Sequence, residues 1–378
     1  MQQRPLRVGI ISAAWGVQAH LPAWRSVEGV EVVAICTSRR ETAEAAARDH
    51  GFARCFWDFR AMAEDPDIDL IDCGTRPPLR YEMVKAAFAA GKHVYQGIPF
   101  AHNLAAAGEL NDLHRKTGTV AAVDAFVQAA PAMVYMKELI DQGQIGDVQG
   151  FNVRLDTGLF TEARTYTPSY TWFGDPANGA SAMRNTGSHA LHLLVHLLGP
   201  VSEIVSDQSL RLGVWKMEDG PAIKPEVPDT SYNIIRLRNG VSGMLQTVWS
   251  MVDAPGFRID IWGTKGRLAV VSTIFPQSYS CKLFRSDDVT FMVLDEHEIE
   301  VPERFKVLPG ISIHADEPQM GVFPMASIFA SMLREMDGKG RAAPSFEQAL
   351  HVQEVVEAAA ISSAERRWVT IGGCAGGR

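Results

Sequence analysis

No stretch of this 378-residue chain is apolar over a membrane-spanning length. Positive charge is in deficit, with 36 lysines and arginines against 44 aspartates and glutamates and a formal net charge of -8. Cysteine is sparse: Cys36, Cys55, Cys73, Cys281 and Cys374, odd in number and with no C-x-x-C pair. Each absence removes a class of protein. A chain without a concentrated positive field is not built for a phosphate backbone, so no nucleic-acid partner is expected. Scattered odd thiols make neither a disulfide framework nor a zinc site and read as reduced. Too little sequence precedes the first apolar run for a signal peptide. With no membrane span, the expectation is a cytoplasmic protein. What remains is ordinary globular composition, 46% hydrophobic and 21% charged. The length exceeds one core, so two domains are expected.

The most informative lack is glycine near the N-terminus. Residues 6–11 are an apolar run that reads as a buried strand. A small-residue turn follows, then a helix carrying Leu21 and Trp24, then a second apolar strand over 30–36. In a strand, turn, helix, strand unit of this kind a dinucleotide pyrophosphate sits on the helix N-terminus, above a turn with three glycines. Ser12, Ala14 and Val17 hold those three places, Trp15 lies among them, and Gly16 is one residue out of phase. Ser12 and Ala14 are small enough for pyrophosphate approach, whereas Val17 threatens the packing of helix on strand. The second strand also lacks the acid that holds the ribose of NAD. Thr37, Ser38, Arg39 and Arg40 stand there instead, which favours NADP if a dinucleotide binds. The competing reading is a capping box, Ser38-x-x-Glu41.

Strand and helix patterns then alternate: helix 43–50, strand 53–57, helix 59–64, strand 68–73, helix 79–90, strand 93–96, helix 103–117 and strand 120–126. Such alternation implies a doubly wound parallel sheet over residues 1–126, with ligands beyond the carboxyl ends of its strands. The segments pointing there are 12–17, 37–40, 74–80 with Thr75, 96–99 with Gln96, and 124–128 with Asp124 and Gln128. After a helix at 133–142 the texture changes. Strands at 150–157, 229–238, 241–252, 258–262 and 267–272 are joined by hairpin turns at Asn239-Gly240 and around Gly263-Thr264-Lys265-Gly266, which predicts an open, mainly antiparallel sheet. A helix at 189–198 is inserted, and helices at 324–337 and 345–366 close the chain. Residues 127–378 are therefore expected to form an α+β domain for substrate binding and oligomerisation, the late helices packing back on the first domain.

An ordered set of short stretches makes the chain resemble the Gfo/Idh/MocA oxidoreductase family. They are His20-Leu21-Pro22-Ala23, Asp67-Ile68-Asp69-Leu70-Ile71, Ala90-Gly91-Lys92-His93-Val94, the run from Leu139 to Val148, Gly187-Ser188-His189-Ala190-Leu191, Ile261-Trp262-Gly263-Thr264-Lys265-Gly266 and Pro344-Ser345-Phe346. The resemblance implies a Rossmann domain followed by an α/β domain whose open sheet serves in oligomers, here a homodimer or homotetramer. It also implies NAD(P) chemistry on sugars, cyclitols and related small alcohols or carbonyls. The departures are specific. Relatives carry a Glu-Lys-Pro segment whose lysine supports proton transfer; here it is Gly97-Ile98-Pro99. Asn185 replaces an aspartate four residues before His189, His192 stands where a second acid is common, and Arg80 stands where a histidine is frequent.

His189 is the best acid/base candidate, since imidazole exchanges protons near neutral pH. Asn185, one turn earlier, is placed to orient a substrate. The alternative is a structural histidine. Arg80 and Arg184 suit a carboxylate or developing negative charge, or else structural pairing. His189, His192 and His196 share a helix face, but the outer two stand about 10 Å apart at ~1.5 Å rise per residue. That is too far for one ion with ~2 Å bonds, so no metal is expected. Tyr166, Tyr170, Trp172 and Phe173 either wall a substrate pocket or form an interface cluster. Lys92 starts a strand at the wrong end to replace the missing lysine. The expected function is an NAD(P)-dependent oxidoreductase acting on a sugar, cyclitol or aromatic-derived alcohol or carbonyl, with an atypical proton relay centred on His189. A redox-neutral lyase or isomerase and a non-catalytic ligand sensor are the alternatives.

Overall fold

The structure, a computed structural model, describes residues 4–287 and 295–372; Cys374 lies outside them. The chain divides into two compact units, residues 1–129 with 307–350 and residues 130–306 with 351–378.

The first unit is a six-stranded parallel sheet in the order β3-β2-β1-β4-β5-β6. Its strands are β1 Leu6–Ile11, β2 Val30–Cys36, β3 Arg54–Phe56, β4 Leu70–Cys73, β5 His93–Gln96 and β6 Ala121–Val123. The helices between them are α1 Leu21–Arg25, α2 Arg40–His50, α3 Phe59–Glu64, α4 Pro77–Ala89 and α5 Leu104–Thr117. Local chemistry sets their ends. Asp58 and Asn103 accept backbone N–H groups at the starts of α3 and α5, prolines open α4, and Gly51 and Gly118 take positive φ behind α2 and α5. Strand order reverses between β1 and β4, the point where ligands bind in sheets of this kind. One core runs through Ile71, Val84, Phe88, Val94, Leu110 and Phe346. Residues after 306 belong here because Glu28 N donates to Gly310 O at 2.7 Å. In the late helix, Phe329 also stacks flat on Trp24, ring centroids 3.5 Å apart.

The second unit holds helix α6 Pro131–Asp141, β7 Val148–Asp156, a two-stranded ribbon of β8 Thr165–Tyr166 and β10 Lys216–Met217, helix α7 Ser188–Leu198, and β9 Val201–Ser209. Strands β11 Thr230–Leu237, β12 Ser242–Val248, β13 Gly256–Gly263, β14 Gly266–Ser272, β15 Lys282–Ser286, β16 His297–Ile299 and β17 Val369–Thr370 complete it. The large sheet runs β16-β15-β14-β13-β7-β12-β11-β9-β17. It is mainly antiparallel, but successive hairpins do not build all of it. β7 lies between the two hairpins β11–β12 and β13–β14 and pairs with β12 in parallel. One face is apolar and covered; the other presents Tyr232, Ile234, Met244 and Trp262, each more than a third exposed. The late helices are α8 Val322–Met336, in the first unit, and α9 Phe346–Glu365, whose first turn belongs to the first unit and whose remainder belongs to the second.

Several boundaries differ from the sequence reading. The strand expected over 120–126 stops at Val123, beyond which Ala125 N donates to Val123 O at 2.9 Å and a 3-10 turn takes residues 126–129. The strand expected over 241–252 stops at Val248. β8, β9, β10, β15, β16 and β17 were not anticipated; β8, β10 and β17 are two residues long, and the polar and charged composition of the others hides them. Among the described residues no helix is long and apolar enough to cross a membrane.

Candidate active site

The turn after β1 is compact and partly open. Ser12 Oγ accepts Ala14 N at 3.2 Å, Ala13 and Ala14 are exposed, and Val17 N and Gln18 N both donate to Ala14 O. The helix opens as a π turn, Gly16–His20, before becoming α1. This explains the displaced glycine. A Cβ on Gly16 would stand 2.8 Å from Ile10 Cγ2 and 3.0 Å from Ser12 Cβ. The close approach of helix to strand therefore falls at residue 16, and Val17 is buried without obstructing it. Gly74, at the end of β4, packs against the same turn.

Behind the turn lies a polar network that the sequence reading missed. His20 is fully buried, with Nδ1 2.8 Å from Asp72 Oδ1 and Nε2 3.2 Å from Asp124 Oδ2. Trp24 Nε1 donates to Asp72 Oδ2 at 2.7 Å. Trp15 Nε1 and the Tyr95 hydroxyl both donate to Asp124, at 2.9 and 2.7 Å. Burial alone would lower the His20 pKa, but the Asp72 and Asp124 carboxylates outweigh it and raise the value to about 10. The group is thus an imidazolium between two acids. Asp124, expected to point to the ligand side of the sheet, is engaged by Trp15, His20 and Tyr95.

At the ends of β2 and β3, helix α2 begins at Arg40 with Arg39 as its N-cap and no side-chain cap. The Ser38-x-x-Glu41 capping box does not form; Thr37 and Thr42 hydroxyls donate to Arg39 O instead. The Arg40 guanidinium lies 5.2 Å over the Trp57 ring, which is half exposed, and pairs with Glu44. Among the described residues Arg39 makes no ion pair.

At the ends of β4 and β5, Arg80 is buried, its guanidinium bonded to the carbonyls of Thr75 and Pro99. Burial pushes its pKa down to about 10. Gln96 Nε2 donates to Phe100 O at 3.1 Å, while Gln96 Oε1 and Arg80 Nε are buried without a hydrogen-bond partner among the described residues. Gln128 is buried and accepts from Gln348 at 2.8 Å. Lys92 lies just before β5, bonded to the carbonyls of Asp65 and Ile68.

In the second unit a second π turn, Met183–Gly187, runs into α7. Asn185 and His189 both stay partly exposed on it, while Thr186, Gly187 and Ser188 are buried. π turns of this kind are frequent at functional sites. Asn185 Oδ1 accepts Ser181 N at 3.1 Å, and the His189 ring meets the edge of Phe275, centroids 5.1 Å apart. Arg184 pairs with Glu357 at 2.6 Å, so its charge is committed. His192 is 1% exposed, and burial followed by His189 and His351 lowers its pKa to about 3. Tyr166 and Tyr170 join Phe160, Phe173, Trp215 and Trp249 in one aromatic cluster, with Trp172 against Phe173. Among the described residues no group of three or more His, Cys, Asp or Glu is placed to hold a metal ion.

Comparison with known proteins extends this geometry. Residues 6–125 match a model described as an oxidoreductase family with an NAD-binding Rossmann fold, and residues 133–269 match the GFO/IDH/MocA C-terminal domain. A dehydrogenase (aclE) of Aspergillus oryzae is 33% identical over 185 residues, 48% of this chain and 50% of that protein, so the match spans about half the relative's length. An uncharacterized oxidoreductase of Synechocystis sp. is 22% identical over 97% of this chain and 96% of its own length. Levoglucosan dehydrogenase of Pseudarthrobacter phenanthrenivorans is 25% identical over 70% of this chain and 73% of its own. A solved levoglucosan dehydrogenase, in complex with NADH and levoglucosan, shares the fold with a TM-score of 0.85 at 22% identity. That match covers 98% of this chain and 100% of that one.

Proposed function

Because the chain belongs to the Gfo/Idh/MocA family of oxidoreductases, we propose that it moves a hydride between NADP and a small polyhydroxy alcohol or its carbonyl. Sugars and cyclitols lead, with aromatic-derived alcohols next. The observation that carries this reading is Gly16. The altered turn still brings helix against strand, and Ala13 and Ala14 leave its outer side open. The residues present fit a dinucleotide in two further respects. Gln96 Oε1 and Arg80 Nε are orphaned polar atoms at the strand ends where such a ligand lies. Arg39, at the end of β2 beside the Arg40–Trp57 pair, makes no ion pair among the described residues and is placed to take a 2′-phosphate.

When bound, nicotinamide supplies the hydride acceptor or donor. The chain's own residues handle the rest. Ile98 neither gives nor takes a proton, so the substrate hydroxyl proton passes to His189 or to water, with Asn185 orienting the hydroxyl. The names of the sugar dehydrogenases among the relatives support the substrate class. The same reading makes the protein cytoplasmic and a homo-oligomer through the open sheet face bearing Tyr232, Ile234 and Met244.

The test is calorimetric titration of the purified chain with NADP, NAD and NADH, followed by nicotinamide absorbance against a panel of sugars and cyclitols. Absence of binding by all three sinks the reading. A redox-neutral reaction on this scaffold is the second reading, favoured by Ile98 standing where relatives carry the lysine that supports proton transfer. It predicts turnover without change in nicotinamide absorbance.

A further inference from the structure

The polar network behind the first turn holds one side chain at the ligand edge of the sheet. Trp15 starts from the end of β1, yet its indole N–H ends on Asp124, which follows β6 and is itself tied to the end of β5. In the sheet, β4 and β5 lie between β1 and β6. At ~4.8 Å per strand that separation is about 14 Å, so the indole and the Asp124 side chain together bridge the carboxyl ends of the intervening strands. A dinucleotide at this edge has its adenosine ribose at the end of β2 and its pyrophosphate above the β1 turn. Its other nucleotide then extends toward β4 and β5, the side that Trp15 occupies.

The indole is not loosely placed. Asp124 is fixed by the Tyr95 hydroxyl and by His20, and His20 is fixed by Asp72, which also accepts from Trp24. Burying two carboxylates and an imidazole costs stability that an apolar core would not lose. What the arrangement secures is one orientation for a half-exposed ring. A single indole fixed edge-on by a carboxylate presents a flat, electron-rich face.

On this basis, and resting on the dinucleotide reading above, we propose that Trp15 is a binding residue for the nicotinamide ring, with Asp124 and His20 as the residues that position it. The pyridine ring stacks on the indole face. The oxidised ring carries a positive charge and the reduced ring does not, so the indole favours the oxidised cofactor.

The test is titration calorimetry on the full chain and its Trp15→Ala, Trp15→Phe and Asp124→Asn variants. The probes are NADP+, NADPH and 2′,5′-ADP, which carries the adenosine end without nicotinamide. The expected result is roughly tenfold weaker NADP+ binding in Trp15→Ala, a smaller loss for NADPH, and unchanged 2′,5′-ADP binding. Trp15→Phe keeps a ring and loses less; Asp124→Asn falls between. Unchanged NADP+ affinity in Trp15→Ala overturns the proposal, and tighter NADP+ binding shows the indole to be an obstruction. If Trp15→Ala does not fold, quenching of tryptophan fluorescence by NADP+ in wild type against Trp15→Phe decides. Equal quenching in the two removes Trp15 from the site. A wild-type chain that binds 2′,5′-ADP but ignores Trp15 substitution sinks this inference alone; one that binds none of the three probes sinks the dinucleotide reading with it.

Discussion

Arg80 and Gly97 occupy one space: a Cβ on Gly97 would stand 3.0 Å from Arg80 Nη1. The guanidinium fills the volume that the missing side chain leaves and ties the carbonyls of Thr75 and Pro99, one from each loop after β4 and β5. Its planar fork reaches the two acceptors from two separate nitrogens held in one plane, where a lysine brings a single nitrogen on a narrower reach. Arg80→Lys is therefore expected to destabilise the chain by about 2 kcal/mol, since a buried carbonyl loses its donor. Urea unfolding measures it. A Lys variant as stable as wild type removes the fork from the account.

The two residues of the first turn behave oppositely to the glycine fingerprint. Gly16→Ala pushes a methyl against Ile10 and Ser12, and is expected to lower both melting temperature and NADP affinity. Val17→Gly restores a fingerprint glycine yet gains nothing. It removes a buried valine and adds a helical glycine, costing about 2 kcal/mol. Tighter dinucleotide binding by Val17→Gly would show that residue 17, not 16, limits the approach.

His20 gives the stability profile its alkaline limb. Its folded pKa, about 10, lies above the ordinary 6.5, so the folded chain holds a proton that the unfolded chain releases. That stabilisation is complete below pH 6.5 and is lost progressively as pH rises toward 10. His192, His196 and His351 are lowered by burial to about 3, 4 and 4, so their contribution is lost as pH falls below 6.5. Denaturant midpoints should peak near pH 6.5. Between pH 6.5 and 8.5 the midpoint should fall in wild type and stay level in a less stable His20→Gln variant. A wild-type midpoint that is flat over that window contradicts a charged His20.

Periodicity made the parallel sheet legible because strands buried on both faces are written as apolar runs, as in residues 6–11 and 30–36. The hairpin turns at Asn239 and Gly263 were legible for the same reason, that their backbone geometry demands particular residues. Three things were not. The parallel pairing of β7 with β12 joins segments some ninety positions apart, and no local signal specifies it. β9 pairs with β11 along its length, one strand in from the sheet edge, although its sequence is largely polar, because its hydrogen-bond partners, not its composition, place it. Asp72 did leave a trace, one acid inside an apolar strand, and a buried acid demands a partner. Its partners, His20 and Trp24, came from a π turn and from helix α1, which spacing alone does not reveal.

In the second unit exposure separates two histidines three residues apart. His189 is partly exposed, whereas His192 is buried and neutral. His189→Ala is expected to lower kcat by roughly a hundredfold with little change in melting temperature, the usual size of a lost acid/base group. His192→Ala should do the reverse, lowering the melting temperature through a buried cavity. Steady-state kinetics beside thermal scans read both, and equal effects on turnover would remove His189 from the relay.

On the proposed function, specificity between NADP and NAD is set at the end of β2. Arg39 has no ion pair among the described residues, and Arg40 is two-thirds exposed, held by Glu44 and the Trp57 face. A 2′-phosphate gains charge-assisted hydrogen bonds from either guanidinium, while the NAD ribose gains little. Arg39→Ala and Arg40→Ala should each weaken NADP roughly tenfold and leave NAD unchanged. The Glu44→Gln variant frees Arg40 and should tighten NADP, most visibly at low salt, because exposed pairs are screened as ionic strength rises. Titrations of both cofactors at two salt concentrations discriminate. If NAD weakens in step with NADP, the arginines shape the turn rather than read the phosphate.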